Sequence, residues 1–212
     1  HPAYGIIQLS RIKDKELFDL TCGGYGLTGI IISAKIRVAK HKWSILETKN
    51  VPASDIFETF ELFKLYRDEY ETVYSWNDFS KFSNNVGNGF VMLSKRIPSD
   101  KKSFSSIKQK ILNPHSQKIR LKLFYEPLLP MINFSFYLLN TKIKKSYKDN
   151  LASVLFPWHT KLFYFNAYGN KGYINHQVII PYENIKTYFN SFIELQKSFR
   201  IRIVLNMSKT FN

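Results

Sequence analysis

The stretch from Cys22 to Val38, Cys-Gly-Gly-Tyr-Gly-Leu-Thr-Gly-Ile-Ile-Ile-Ser-Ala-Lys-Ile-Arg-Val, constrains this chain more than any other. Its four glycines, Gly23, Gly24, Gly26 and Gly29, fall within seven residues, where they allow backbone angles that a side chain forbids and let another surface approach closely. Beyond them Ile30, Ile32, Ala34, Ile36 and Val38 alternate with Ile31, Ser33, Lys35 and Arg37, the period of a half-buried strand. A glycine turn of this kind serves either the approach of a phosphate or cofactor or simply the entry to a sheet. It is not a dinucleotide fingerprint, which needs a strand before the glycines and a helix after them.

Composition narrows the class. A hydrophobic fraction of 44% and an aromatic fraction of 16% in 212 residues suit a folded chain with one good core, or one domain and a piece of another. The chain opens on His1 with no apolar signal segment, the pattern expected of an excerpt from a longer protein. Cys22 is the only cysteine, which excludes an internal disulfide, and beside two glycines it is expected to be a small buried residue. The net charge is +15, and the segment Lys95 to Lys148 carries thirteen Lys or Arg against two acids, +11 of that total. An anionic partner is implied: lipid headgroups, a phosphorylated substrate or nucleic acid, set against a merely solvated Lys-rich surface. The basic stretch has no helix-turn-helix, RNP or zinc-finger pattern, so nucleic acid is not expected. The run Leu123 to Leu139 is broken by Glu126, Pro127, Pro130 and Asn133 and falls short of a membrane span, so it is expected to be a loop or an interfacial segment.

In chain order, Ile6, Ile7 and Leu9 suggest a short strand, and Asp14 to Leu20 a polar turn running into an amphipathic helix. Lys40-His41-Lys42 marks a composition shift taken as a domain boundary, with residues 1–40 ending one domain and 41–212 forming another. Asp55 and Glu58 are spaced as a capping box for a helix reaching about Tyr70. Strands are expected at Thr72 to Trp76 and Gly89 to Lys95, then a loop with a short helix from Ile97 to Ile119. From Lys122 to Asp149 apolar pieces, prolines and lysines alternate without a clear period. A strand from Tyr173 to Ile180, an amphipathic helix over Ile185 to Phe199 and a strand from Ile201 to Met207 complete an α+β pattern, an antiparallel sheet covered by helices. Asn175 and Gln177 share one face of the expected strand, where paired amides suit hydroxyl groups or a ring edge; a solvated sheet face is the plainer alternative. His41, His115, His159 and His176 show no ligand spacing, and no metal site is expected.

Glu16-Leu17-Phe18, Thr21-Cys22-Gly23-Gly24 and Gly26-Leu27-Thr28-Gly29-Ile30-Ile31 closely resemble the end of the flavin domain in the vanillyl-alcohol-oxidase (PCMH) type of FAD-dependent oxidoreductases. Within that family the chain looks most like the decaprenylphosphoryl-ribose 2-oxidase flavoprotein subunits. The resemblance implies FAD as cofactor, with Gly26, Thr28, Gly29 and Ile31 against the flavin, and an incomplete substrate domain over 41–212. It implies oxidation of a secondary alcohol on a sugar or polyprenyl-phosphate-linked pentose, with a short-chain reductase as a possible partner subunit. Asn166 to Pro181 resembles the family's active-site strand, which assigns Asn175 and Gln177 to substrate, Asn175 being a shorter replacement for a glutamine. Tyr74-Ser75-Trp76-Asn77-Asp78 matches a pocket wall with one residue deleted, which puts Ser75 and Trp76 in the pocket and has Asp78 hold the loop. Leu205 to Phe211 matches a segment whose lysine lies in the substrate pocket, here Lys209. Leu155-Phe156-Pro157-Trp158-His159 departs from the pattern by lacking a pocket tyrosine.

The catalytic lysine of the family is expected after Asn212, and the phosphate loop before His1. The location implied is cytoplasmic or peripheral to an inner membrane. An aldonolactone oxidase of the same superfamily is the second enzymatic alternative. A basic, non-catalytic membrane- or nucleic-acid-binding module is the alternative of another class.

Overall fold

The computed structural model describes residues 1–38, 44–82, 86–99, 125–155 and 174–210. The chain divides into two compact units, His1–His41 and Lys42–Asn212. In the first, Lys15–Thr21 forms a two-turn helix, α1, entered through Asp14 in the left-handed region. It ends at Cys22, whose N–H donates to Phe18 O. The expected strands at Ile6–Leu9 and Ile30–Val38 are absent: both segments run as irregular chain, and Ile30 is 87% exposed. A strand exists only as half of a ladder that satisfies its N–H and C=O groups, and no described strand pairs with either segment. None of residues 1–38 is buried, and Cys22 is exposed, correcting the expectation of a buried thiol. A seven-residue helix and a turn cannot enclose a core by themselves.

Among the described residues, the second unit is built on five antiparallel strands in the order β4-β1-β3-β2-β5. They are β1 Ser44–Ala53, β2 Thr72–Phe79, β3 Gly89–Pro98, β4 Ser146–Asp149 and β5 Ile203–Lys209. Strands β2, β3 and β5 lie where hydrophobic alternation placed them. β1, the centre of the β4-β1-β3 half, carries no such signal, because the positions it buries on one face are Leu46, Thr48 and Asn50, only the first apolar, and on its other face the exposed Glu47 and Lys49 separate Ile45 from Val51 and Ala53. The helix α2, Ile56–Tyr66, follows β1 directly. Asp55 accepts from Glu58 N at 2.8 Å, while the Glu58 carboxylate accepts from Ser54 N at 2.7 Å and from Ser54 Oγ, so the box closes one residue further back than the standard motif.

Alternation along the strands sorts the sheet into two faces. Val73, Val91 and Leu93 pack under α2 through Phe63. Phe79 packs with Ile56 and with Ile185, Phe189 and Ile193 of α5, Ile185–Ser198. Tyr74, Trp76, Phe90, Met92 and Leu46 point the other way and pack with Val154 and the half-buried Tyr137. That face is covered by α3, Leu129–Leu138, which a π turn over Leu139–Ile143 extends, and by the short helix α4, Leu151–Leu155. Leu123–Leu139 is therefore largely helical from Glu126 onward, because Pro130 lies in the first turn, where its missing N–H costs nothing. Fully burying residues such as Phe63, Phe79 and Phe90 stabilises the layers by about 1.5–3 kcal/mol each.

The expected strand Tyr173–Ile180 is not formed over residues 174–180 either. It pairs with none of the five strands and leaves Ile174 and Ile179 in solvent. The loop and short helix expected up to Ile119 lie outside the described residues from 100 onward, and Ile97 itself belongs to β3.

Candidate functional site

The sheet face beneath α3 gathers a row of buried polar side chains. In one cross-strand row Tyr147 stands opposite Thr48, and Thr48 opposite Ser94, whose hydroxyls are 2.8 Å apart in a fully buried pair. Tyr147 lies within electrostatic reach of Thr48 and of the hydroxyl of Tyr74, which points toward it from β2. Burial, aided by Tyr147 and the nearby Asp149 carboxylate, pushes the Tyr74 hydroxyl far above its ordinary value. Burial also raises Tyr147, against the lowering effect of the Tyr74 and Thr48 hydroxyls. Both phenols therefore stay protonated at neutral pH and can donate hydrogen bonds. Lys209, directly opposite Tyr74 on β5, is exposed and holds its ammonium 6.0 Å from the Tyr74 ring centre.

Trp76 belongs to the same face but is 5% exposed, lying 5.6 Å from Phe90 and 5.0 Å from Phe136 of α3. It is a packed floor beneath the helix, and the open part of the face is at Lys209. Asp78, one step further along β2, is buried and accepts from Ser80 N at 2.9 Å and from Asn133 Nδ2 of α3 at 2.7 Å. Asn50 secures the far end of the same cover by donating to the carbonyls of Asn140 and Lys144, at 3.0 and 2.9 Å. Two buried side chains of the sheet thus hold α3 and its π turn over Trp76.

Period two sends Ser75 to the opposite face. It is fully buried there and donates to Asn77 Oδ1 at 2.6 Å. The structure therefore places Trp76 and Lys209 on one face of the sheet, Lys209 opposite Tyr74, and leaves Ser75 in the core under α2. Asn175 and Gln177, together with His176, are exposed on the irregular segment 174–180, so no strand presents the two amides side by side. The same segment ends in an open groove of about 400 Å³ lined by Val178, Ile179, Ile180, Pro181, Asn184, Thr187 and Tyr188. Its walls are apolar and its only amide is Asn184, a poor match for a sugar.

In the first unit the glycine turn has the form required of a close-approach surface. Gly26 and Gly29 take φ of +80° and +150°; a Cβ on Gly26 would meet nothing closer than 4.0 Å, so its backbone is open, whereas one on Gly29 would come within 3.2 Å of the His1 backbone, which covers that side. Thr21 Oγ1 donates to Leu17 O at 2.6 Å, so in its 2.9 Å bond to Thr28 the Thr28 hydroxyl is the donor, which ties the turn to α1. Ile31 is exposed just beyond. Of these residues, Gly26 and Ile31 present open surface that fits a flat ring system. No Lys or Arg stands between Glu16 and Ser33 to meet a diphosphate.

Sequence reasoning does not single out Thr48, Ser94 and Tyr147. Thr48 and Ser94 are small hydroxyl residues inside strands, and Tyr147 sits in a lysine-rich run on a four-residue strand too short to show a period. No family model, curated protein or solved structure matches this chain.

Proposed function

We propose that the chain joins the end of a PCMH-type flavin domain to the substrate domain of a vanillyl-alcohol-oxidase-type FAD-dependent oxidoreductase. The observation that carries this is the run Thr21 to Ile31, in which the family-like residues form a glycine turn whose backbone is open at Gly26, with Ile31 exposed behind it. The isoleucines around and beyond it, Ile30, Ile32 and Ile36, are left in solvent, as suits a segment that finishes its packing against further chain. The substrate class is a secondary alcohol on a sugar or polyprenyl-phosphate-linked pentose, as in decaprenylphosphoryl-ribose 2-oxidases. FAD, when bound, accepts the hydride from the carbinol carbon.

The chain's own residues bind and orient. Gly26, Thr28, Gly29 and Ile31 form the flavin wall, with Thr28 fixing the turn. Lys209 offers an exposed cation to a substrate phosphate, on a platform of Tyr74 and Trp76 that the hydroxyl row and α3 hold rigid. Asn175 and Gln177 supply hydroxyl-binding amides once residues 174–180 are ordered against substrate. The ketone product suits a short-chain reductase as partner.

The test is purification of the product of the complete reading frame that contains this chain, reconstituted with FAD. A flavin absorption band that bleaches anaerobically with a sugar secondary alcohol is expected. Bleaching by an aldonolactone alone selects the aldonolactone oxidase alternative, and failure to retain any flavin refutes the proposal.

A further inference from the structure

The helix α3 carries a surface that the flavin reading does not use. Its inward positions Leu129 and Asn133, with Tyr137 half-buried, seat it on the sheet. The outward line is Met131, Phe134 and Leu138, at steps of three and four, and these are 61%, 52% and 36% exposed. Tyr125, Leu128, Leu139 and Ile143 widen the exposed apolar surface at both ends. From Pro127 to Thr141 there is no charged residue at all. A surface helix normally turns charged residues outward, and one that is apolar all round is buried in protein or lies in lipid.

The same outward line continues to Lys142, one helical step beyond Leu138. Lys144, Lys145 and Lys148 come next, all exposed, and no acid occurs between Glu126 and Asp149. Lys148 stands opposite Glu47 in the β1–β4 ladder, so Lys142, Lys144 and Lys145 carry the charge argument. An apolar outer face ending in a lysine cluster is the signature of a helix that lies in a membrane interface with its cations at the anionic headgroups. A second copy of this chain is a poor occupant, because a two-fold interface pairs this patch with itself, and the patch offers no acid to its own lysines. No described helix is long and apolar enough to cross a bilayer, so the helix lies on the surface instead.

We propose that α3 with its π turn is a membrane-docking element that seats Met131, Phe134 and Leu138 in the interface of an anionic bilayer and sets Lys142, Lys144 and Lys145 on its headgroups. The docking stands independently of the flavin reading. Together with it, docking would hold the Tyr74–Lys209 face, which α3 roofs, at the membrane surface where a polyprenyl-linked substrate resides.

The experiment is co-sedimentation of the full chain with phosphatidylcholine vesicles, with and without phosphatidylglycerol. Binding is expected only with the anionic lipid and falls with salt. Lys142→Glu, Lys144→Glu and Lys145→Glu together should lower the partition coefficient roughly tenfold to a hundredfold. Met131→Ser, Phe134→Ser and Leu138→Ser together should lower it on the order of tenfold with the circular dichroism unchanged, since these side chains face solvent. A charge-matched control, Lys13→Glu, Lys35→Glu and Lys186→Glu, should stay within about twofold of the parent if attraction is local.

For insertion itself, an environment-sensitive dye at Met131→Cys in a Cys22→Ser background should brighten on anionic vesicles. The same dye at Leu195→Cys, on the exposed side of α5 and the other side of the sheet, should not. The proposal is overturned if the serine variant binds like the parent, if the control loses as much as the Lys142 set, or if the dye at 131 does not respond. It is equally overturned if light scattering shows a dimer that the serine substitutions dissolve, since a second copy then covers the face. Vesicle binding has no bearing on flavin retention, so either idea can fail without the other.

Discussion

Replacing Asn77 by alanine removes the hub of the polar cluster inside the sheet's α2 face. Asn77 is 1% exposed and donates from Nδ2 to Thr59 Oγ1 at 2.7 Å and to Gly87 O at 2.8 Å, while Oδ1 accepts from Ser75. Thr59 keeps its own bond to Asp55 O, so the groups stranded by the substitution are Ser75 Oγ and Gly87 O. At about 1–3 kcal/mol for each buried group left unpaired, the cost is ~3 kcal/mol, a fall in melting temperature of roughly 6–12 °C for a chain of this size. The assay is urea unfolding followed by tryptophan emission, which reports the second unit because Trp43, Trp76 and Trp158 all belong to it. The midpoint should fall with the slope unchanged. Asn77→Asp supplies a sign test: a carboxylate facing the Gly87 carbonyl favours its protonated form in the folded state, so that variant should be most stable in acid and lose stability as pH rises through the ordinary carboxyl range. An Asn77→Ala protein with an unshifted midpoint, or an Asn77→Asp protein that is most stable at neutral pH, would refute the network as drawn.

Trp76→Ala should destabilise the chain by about 3–5 kcal/mol, whereas Trp76→Phe should retain most of the stability, since the ring's contacts with Phe90 and Phe136 are apolar; thermal melts of the two variants check this. Lys209→Gln should leave the melt unchanged because the side chain is exposed, yet raise KM for a phosphate-bearing sugar in the complete enzyme by roughly fivefold to tenfold, with a neutral sugar unaffected. An equal rise for both sugars would remove Lys209 from the phosphate site. Bonds from the Ser54 hydroxyl and backbone N–H hold the Glu58 carboxyl below its ordinary value of 4.5, so its stabilisation is present above that value and is lost as pH falls through the depressed one. Acid titration should therefore show a steeper loss of stability for the parent than for Glu58→Gln; identical acid limbs would exclude the cap as a source of pH dependence.

Local codes in the sequence determined the elements whose signals are short-range. The cap at Asp55, the apolar stripe of α5 and the alternation in β2 and β3 each involve residues within one or two turns of each other, and each element formed within a few residues of its expected place. The glycine turn was legible for the same reason, since a positive φ at Gly26 or Gly29 is a property of the residue itself. Charge was legible as well, since the +11 of Lys95 to Lys148 is a count of side chains and needs no geometry.

Pairing is different, because a strand is made by its neighbour. Ile30–Val38 and residues 174–180 have the composition of strands but meet no ladder, whereas β1, with Thr48 and Asn50 on its inner side, becomes the second strand of the sheet because β3 and β4 flank it. Only the tertiary structure put Tyr147 beside Thr48 and Tyr74, 99 and 73 positions apart in sequence, and only it turned Ser75 away from Trp76's side of the sheet. The same holds for α3, whose outward residues are as apolar as its inward ones: nothing in the sequence says which line of that helix faces the sheet, and the bond that Asn133 donates to Asp78 and those that Asn50 donates to the π turn decide it. Hydrogen bonds and packing contacts between residues far apart in the chain set those choices, and no local pattern encodes them.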